Sequence, residues 1–186
     1  GLAALSMHKL GAVLGVKGMS LYNHVVSKDD LFDGIIDVLW SEVETAAPVI
    51  EDWLAGARAL AHAIRAAVAR HPNAAPLITS RPFIPIPALR LVRDHISAAV
   101  GSGVAEERAY AVLRTLTMYA LGSAFAEVCW GMGGTCRPTV RHMLRRGTPE
   151  ELAAVAEVFC GQSDADAMFE LGVELMLHGV DCTHTP

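Results

Sequence analysis

The sequence lacks any long apolar run: its longest stretch without a charged residue, Thr115 to Ala126, has 12 residues. A helix needs about 20 mostly apolar residues to cross a bilayer, so we expect no membrane-spanning segment. The beginning of the sequence also lacks a basic leader followed by an apolar stretch and a small-residue cleavage site. These absences predict a cytoplasmic protein with no membrane partner.

Cysteine is scarce: the chain has four cysteines in 186 residues, and no two of them form a Cys-x-x-Cys pair. This spacing excludes a dense disulfide framework and favours reduced, mostly buried thiols. His178, Cys182 and His184 lie close together near the end, which is compatible with a metal site. Single histidines and cysteines in such segments are more often structural, so we predict no metal and no cofactor.

Positive charge is sparse and unevenly placed. The net charge is −5, which argues against a protein coated in nucleic acid. Residues 1–28 nevertheless hold Lys9, Lys17 and Lys28 and no acidic residue, so they carry +3 and leave −8 for the remainder. An acidic body with a small basic end suits a local contact with a polyanion, although three lysines in 28 residues also arise by chance.

Strand-like alternation, internal repeats and low-complexity segments are absent, and helix signals recur instead. The predicted fold class is therefore all-α. Ser6, Ser27 and Asp52 are placed to cap helices, and Gly15 is placed to end one. Five of the nine prolines fall between Pro72 and Pro87, which predicts a stiff, irregular connection there. The predicted helices cover residues 7–14, 17–24, 28–47, 53–70, 87–100, 105–129, 138–146, 149–160 and 164–178.

The first two predicted helices have the spacing of a helix-turn-helix. Gly11 is small enough to let a second helix approach, and Gly15 allows the turn. Leu10, Leu14, Val16 and Leu21 are spaced to face inward, whereas the residues predicted to point outward are Met7, His8, Lys9, Lys17, Met19, Ser20, Asn23 and His24. A plain helical hairpin fits the glycines and leucines about equally well. The basic end and the polar outward face favour DNA.

The outward side chains have the chemistry that DNA contacts require. Ser20 and Asn23 can form hydrogen bonds with base edges, and Met19 can contact a thymine methyl group. Lys17, Tyr22 and His24 suit phosphates.

The beginning of the chain also carries an ordered set of short motifs. They are Leu5-Ser6-Met7, Leu14-Gly15-Val16, Leu21-Tyr22-Asn23-His24-Val25 and Ser27-Lys28-Asp29-Asp30-Leu31. In this order they resemble the TetR family of bacterial transcriptional repressors. The remainder is similar, on looser motifs, to the tetracycline-repressor type of C-terminal domain; these motifs are His71-Pro72, Thr79-Ser80-Arg81-Pro82, Leu121-Gly122 and His178-Gly179.

The resemblance implies two domains: a helix-turn-helix DNA-binding domain with its connecting helix over residues 1–47, and an all-helical ligand-binding and dimerisation domain over 48–186. It makes residues 7–14 the support helix and 17–24 the recognition helix. The implied DNA-binding residues are Ser6, Lys17, Gly18, Met19, Ser20, Tyr22, Asn23, His24 and Lys28. The family works as dimers that release operator DNA when a small molecule binds between the C-terminal helices.

Two departures from the family pattern change what we expect. The family has a further helix before this stretch. We therefore expect the first helix to be missing, the helix-turn-helix of residues 7–24 (the head) to be weakly held, and DNA affinity to be reduced. Leu77 stands where tetracycline-binding members place a metal-coordinating histidine, so a magnesium–tetracycline complex is not the expected ligand.

The second domain contains residues suited to a mostly apolar small-molecule effector. The expected walls of its pocket are Phe83, Met118, Tyr119, Phe125 and Trp130, and the expected polar anchors are His62, Thr79 and Arg81. Taken singly, each of these residues is better explained by core packing or by a solvated loop, so the prediction is made for the set.

Two helices have too little charge for surface helices. Between residues 115 and 126 no face is charged, and between 168 and 177 the charged positions are confined to one stripe. A surface helix needs an apolar face of only about 100°, so both helices require cover on more than one side. We expect a homodimer in which helices 105–129 and 164–178 of two copies form a four-helix bundle.

Two other function classes compete with a ligand-responsive repressor. One is a helical protein that binds a ligand or partner but not DNA. The other is an enzyme, which we do not expect, because no Gly-rich phosphate loop follows a strand and no nucleophile, base and orienting group stand at an instructive spacing.

Overall fold

A computed structural model describes residues 2–81, 83–130, 140–161 and 164–181 of the chain. Within these ranges the protein is built from nine α-helices and no strand, which confirms the all-α prediction. The α-helices are α1 (Met7–Leu14), α2 (Lys28–Ala46), α3 (Trp53–Arg70), α4 (Ala75–Ser80), α5 (Ile86–Gly101), α6 (Glu106–Trp130), α7 (Val140–Met143), α8 (Glu150–Ala156) and α9 (Ala165–Asp181).

The helix starts follow the predicted capping residues. The Ser6 hydroxyl accepts a hydrogen bond from the Lys9 N–H at 3.2 Å, and the Ser27 hydroxyl accepts one from the Asp30 N–H at 3.1 Å. The Asp52 carboxylate accepts from the first turn of α3. Each cap satisfies a backbone N–H that has no partner within its helix, and such a cap contributes about 1 kcal/mol.

The core lies where α3 crosses α6, with α2, α5 and α9 packed around this pair. Leu60 and Ile64 of α3, Leu116 of α6, and Phe169 and Val173 of α9 are almost completely buried. Burying a side chain of this size contributes about 1.5–3 kcal/mol relative to exposure. The long apolar helices are therefore partly covered within one copy of the chain.

The second predicted helix is shorter and tighter than expected. Residues Gly18–Asn23 form a 3-10 helix, which we call the reading helix. Its bonds span three residues: the His24 N–H, for example, donates to the Leu21 carbonyl at 2.9 Å. Lys17 precedes it and provides no side-chain cap for its first turn.

The connection between Pro72 and Pro87 is more regular than predicted. It contains α4, which places Pro76 in its first turn. A proline is tolerated there because its missing N–H would have no intrahelical acceptor. Prolines therefore shape the ends of a short helix here instead of excluding one.

The helices between α6 and α9 also differ from the prediction. The predicted helix over residues 138–146 is α-helical over Val140–Met143 and not over residues 144–146; residues 138 and 139 lie outside the described ranges. The predicted helix ending at residue 160 is α-helical only to Ala156 and continues as the π-helix Glu157–Gly161. In the described ranges, none of the helices has both the length and the apolarity that a membrane crossing needs.

Candidate DNA-reading head and effector region

The reading helix crosses α1 at a contact between two glycines. A Cβ on Gly11 would lie 2.8 Å from the Gly18 backbone nitrogen, and a Cβ on Gly18 would lie 3.0 Å from the His8 Cα. Any larger side chain would push the two elements apart. The turn between them is closed by Gly15 in the left-handed region (φ 71°), which confirms its predicted role.

Most of the residues predicted to contact DNA are free to do so. The exposed side chains are Lys17, Met19, Ser20, Tyr22, Asn23 and His24. Gly18 differs, because it faces α1 and its function in the structure is close packing. The sequence pattern did not show whether Gly18, in the predicted recognition helix, contacts DNA or packs against α1.

Ser6 and Lys28 lie at the starts of the two longer head helices. The Ser6 hydroxyl caps α1, as described above, and Lys28 is the first residue of α2. The Lys28 ammonium nitrogen lies 5.3 Å from the centre of the Phe32 ring, a cation–π distance. Phe32 therefore restrains the Lys28 side chain at the beginning of α2.

Three predicted orientations in the head are wrong. Met7, which we expected to point outward, is 8% exposed, whereas Leu14 and Val16, expected inside, are 59% and 45% exposed. The turn explains Val16, because its backbone N–H donates to the Gly11 carbonyl at 2.9 Å and this bond fixes the backbone, not the side chain, against α1. Leu14 is the last residue of α1, next to the left-handed Gly15, and its side chain leaves the packed face there.

His62 and Tyr119, two of the predicted effector residues, meet on one aromatic side chain. Phe169 of α9 has the Tyr119 ring stacked on it at 5.5 Å and the His62 ring edge-on at 5.2 Å. The Tyr119 hydroxyl donates to the Met168 carbonyl at 3.0 Å, and burial raises the Tyr119 pKa. Both side chains are thus engaged in packing α3 and α6 against α9.

A network of ion pairs surrounds this aromatic cluster. Arg65 donates to Glu127 and Asp166 at 2.7 Å each, and its guanidinium carbon lies 4.7 Å from the Phe169 ring centre. Burial lowers the Arg65 pKa, but the hydrogen bonds to the two carboxylates outweigh it and raise the pKa. Glu170 accepts from Arg58 at 2.5 Å and also contacts His62.

The sequence analysis did not single out this network. Its signal was available in the spacing of Arg58, His62 and Arg65, which lie on one face of α3. The facing acidic residues Asp166 and Glu170 are likewise one turn apart on α9.

The remaining predicted effector residues are distributed over separate places. Phe125 packs on a small buried cluster beneath α4, formed by Val68, Ala75 and Ala124, whereas Phe83 packs on the main core. Thr79 is exposed, and Met118 is 62% exposed. The Trp130 side chain, together with Cys182 and His184, lies outside the described residues. The structure therefore does not bring the eight residues together around one cavity.

Arg81, which was predicted to anchor the effector, instead faces α2. It follows α4 and donates to Asp29 at 3.1 Å and to Asp33, both on α2. These hydrogen bonds, that to Asp33 first, raise the Arg81 pKa. Arg81 therefore joins α4 to the beginning of α2, beside Lys28.

The second half of α2 is also held by ion pairs, here with α3 and α5. Glu42 accepts a hydrogen bond from Arg70 at 3.1 Å and lies 3.0 Å from His71 Nε2, and Glu44 accepts two from Arg90 at 2.8 Å each. The hydrogen bond with His71 lowers the Glu42 pKa, and that with Arg90 lowers the Glu44 pKa. Ion pairs thus tie both ends of the connecting helix to α3, α4 and α5.

Comparison with known proteins agrees with this arrangement. The family model "Tetracyclin repressor-like, C-terminal domain" matches residues 47–183. The chain is 28% identical over 187 residues to an HTH-type transcriptional regulator of Saccharopolyspora erythraea, a match that covers 98% of this chain and 78% of the relative.

Two solved structures from Streptomyces coelicolor share the fold. A possible TetR family transcriptional regulator of strain A3(2) has a TM-score of 0.77 at 25% identity, over 99% of this chain and 92% of that one. The TetR family protein ActR, crystallised with actinorhodin, has a TM-score of 0.76 at 23% identity, over 100% and 91%. Since the family model covers well over half of the chain, the chain belongs to the tetracycline-repressor-like family and is a DNA-binding transcriptional regulator.

Proposed function

We propose that this regulator is a homodimeric repressor whose reading helices enter the major groove of an operator and leave it when a mostly apolar small molecule binds beneath α4. The observation that carries the proposal is the direct link from α4 through Arg81 to Asp29 and Asp33 of α2. This link connects the region expected to take the effector with the helix that carries the reading head.

The DNA-contacting side chains are those exposed on and around the reading helix. Ser20 and Asn23 contact base edges, and Met19 contacts a thymine methyl group. Lys17, Tyr22, His24, Lys28 and the Ser6 end of α1 contact phosphates. Six of these side chains, between Lys17 and His24, are exposed, which supports their assignment to DNA contacts. Gly18 is assigned to packing against α1.

The effector site is proposed beneath α4, around the buried cluster of Val68, Ala75 and Ala124. Ile78, Leu121 and Phe125 pack against this cluster and are only partly buried, so an apolar ligand has side chains to displace there. ActR, which shares the fold, binds actinorhodin in its crystal structure. Leu77 is buried in the core, and a buried leucine offers no ligand to a magnesium–tetracycline complex.

Release follows from the connection between α4 and α2. A ligand beneath α4 shifts that helix, weakens the Arg81 contacts with Asp29 and Asp33, and lets α2 rotate with the head. In a dimer the two heads must stand about 34–36 Å apart to enter successive major grooves, so a small rotation of each α2 is sufficient to prevent binding.

Dimerisation is proposed through α6 and α9, as a four-helix bundle of two copies. Large apolar side chains are exposed on both helices of the single chain: Met118 on α6, and Met168, Leu171 and Leu175 on α9. Leu175 alone is 67% exposed. A second copy would remove these side chains from water.

Three further parts of the proposal follow from this function. Residues 1–47 act as the DNA-binding unit and 48–186 as the effector and dimerisation unit. The protein is not an enzyme and uses no cofactor. It acts where the chromosomal DNA is, in the cytoplasm.

The test is operator binding by the dimer as a function of salt concentration. The affinity for DNA from the neighbouring promoter is expected to fall steeply with salt, because phosphate contacts release counterions. The Lys17→Gln variant should reduce the slope of log affinity against log salt by about one, whereas Arg93→Gln, which removes an exposed positive charge on α5, is the matched control. A flat salt response, or a monomer by light scattering, would contradict the proposal.

A further inference from the structure

His95 is the only polar side chain that is buried in the described part of the chain, with 4% exposure. Its Nδ1 lies 2.9 Å from the Leu91 carbonyl oxygen, one turn earlier on α5. A carbonyl oxygen can only accept, so Nδ1 carries the hydrogen and Nε2 of the neutral ring has a lone pair. Nε2 is buried and has no hydrogen-bond partner in the described residues. It is an acceptor without a donor, an unfavourable state for a buried atom.

A gap lies beside this nitrogen. A Cβ on Gly56 of α3 would be 4.0 Å from His95 Nε2 and 3.5 Å from Ile50 Cγ1. A methyl group at position 56 would thus be in ordinary van der Waals contact with the His95 ring edge and with Ile50, so room for one carbon atom lies beside Nε2. Ile50 lies in the loop between α2 and α3 and is 43% exposed, so its side chain can turn away without unpacking the core.

The same histidine lines a cavity of about 570 Å³ between the end of α2, the following loop and α5. This volume falls in the usual range for small-molecule sites, about 300–1,000 Å³. The apolar part of the wall is formed by Ala47, Pro48, Val49, Leu91 and Ala98.

The polar part of the wall is rich in acceptors. Glu44 and Asp94 line the cavity, whereas their partners Arg90 and Arg93 do not. The hydrogen bonds from these arginines lower the pKa of both carboxyls, so both are ionised at neutral pH. A cation with hydrogen-bond donors finds acceptors in such a wall, whereas an anion finds no free donor among its side chains.

We propose that this cavity is a second small-molecule site, separate from the effector region beneath α4, and that it binds a primary amine with a compact apolar body. The apolar body packs on Pro48 and Leu91, and the ammonium group lies near Glu44 and Asp94. One N–H of the ammonium group donates to His95 Nε2 after Ile50 has turned aside.

The experiment titrates benzylamine into the full chain labelled with ¹⁵N-histidine and follows the Nε2 resonances. The His95 Nε2 signal, assigned with His95→Gln, is expected to shift saturably, because its lone pair gains a donor. Benzyltrimethylammonium, a cation without an N–H, should leave this signal in place, and benzoate should not bind. No saturable shift with benzylamine, or an equal response to benzoate, would overturn the proposal.

Three variants separate binding at this site from a general effect. His95→Gln should lower the benzylamine affinity about tenfold, the loss expected for one hydrogen bond. Ile50→Ala should raise the affinity, and Ser97→Trp, at an exposed lining position, should abolish binding by closing the mouth without altering His95. His142→Gln, on exposed α7, is the control and should change nothing. Unchanged binding in both Ile50→Ala and Ser97→Trp would refute the site.

Discussion

The Tyr119 side chain occupies the space beside Gly172. A Cβ on Gly172 would overlap the Tyr119 hydroxyl and ring, so the glycine is what allows α6 and α9 to approach at this point. The hydroxyl then donates to the Met168 carbonyl, and the ring stacks on Phe169. One glycine thus determines the packing between the two helices that we propose to form the dimer.

The Gly172→Ala substitution is expected to destabilise the protein by about 1–3 kcal/mol, the usual cost of overpacking a filled site. Gly34→Ala on α2 is the matched control, since its Cβ would meet nothing within 4 Å, and it should stabilise the helix by about 0.5–1 kcal/mol. Urea unfolding monitored by circular dichroism measures both. Equal midpoints for the two variants would show that Tyr119 yields easily.

The glycine contact in the head predicts a selective loss of DNA binding. Gly11→Ala forces a Cβ against the Gly18 backbone, which is unable to retreat as a side-chain tip can. Operator affinity should fall at least about tenfold, the effect of 1.4 kcal/mol. The melting temperature of the helical domain of residues 48–186 should change little.

Gly34→Ala is the corresponding control, because a Cβ there meets nothing within 4 Å on α2. It should keep the operator affinity of the parent chain. If Gly11→Ala bound the operator as well as Gly34→Ala did, the close approach of α1 and the reading helix would be irrelevant to function.

Local signals in the sequence predicted much of the fold. Ser6, Ser27 and Asp52 cap helices as expected, because a cap depends only on residues within one turn. Gly11 and Gly15 were also assigned correctly, because the close approach and the turn both involve neighbours within seven residues along the chain. The orientation of Leu14 and Val16 was not, since it depends on which surfaces meet after the turn.

The effector region could not be derived in this way. Arg81 was expected to anchor a ligand, but its partners Asp29 and Asp33 are about 50 residues earlier, and no local pattern reports such a pairing. Likewise, the orphan nitrogen of His95 follows from the neighbours that tertiary packing gives it.

Stability should decline in acid because of Glu42. Its pKa lies below the ordinary value of 4.5, chiefly because of the hydrogen bond with His71. A carboxyl whose pKa is lower in the folded state stabilises the fold above its unfolded pKa, and this contribution disappears as the pH falls through the folded pKa. The melting temperature of the parent chain should therefore fall between about pH 5 and pH 3.

The variant that isolates this contribution is Glu42→Gln, which keeps the shape and cannot ionise. It should be less stable than the parent chain at neutral pH and should lose less stability on acidification, with Glu44, Asp94 and Glu150 contributing to the remaining slope. Glu51→Gln, at an exposed loop position, is the control and should follow the parent curve. Parallel curves for Glu42→Gln and the parent chain would disprove the assignment.

The contact between Arg81 and α2 should couple effector binding to operator release. Arg81→Gln and Asp33→Asn both remove the ion pair between these two residues, and Arg81→Gln also removes the pair with Asp29, so the double variant should add little to Arg81→Gln alone. Each should change the ratio of operator affinity with and without effector while leaving effector binding intact, because neither residue lies in the apolar cluster beneath α4. Arg93→Gln, which breaks a surface pair on α5, is the control.

Electrophoretic mobility shifts over a range of effector concentrations give the ratio for all four variants. Additive effects of Arg81→Gln and Asp33→Asn would mean that the two side chains act independently and that coupling runs through another contact, since a shared pathway makes the second substitution redundant.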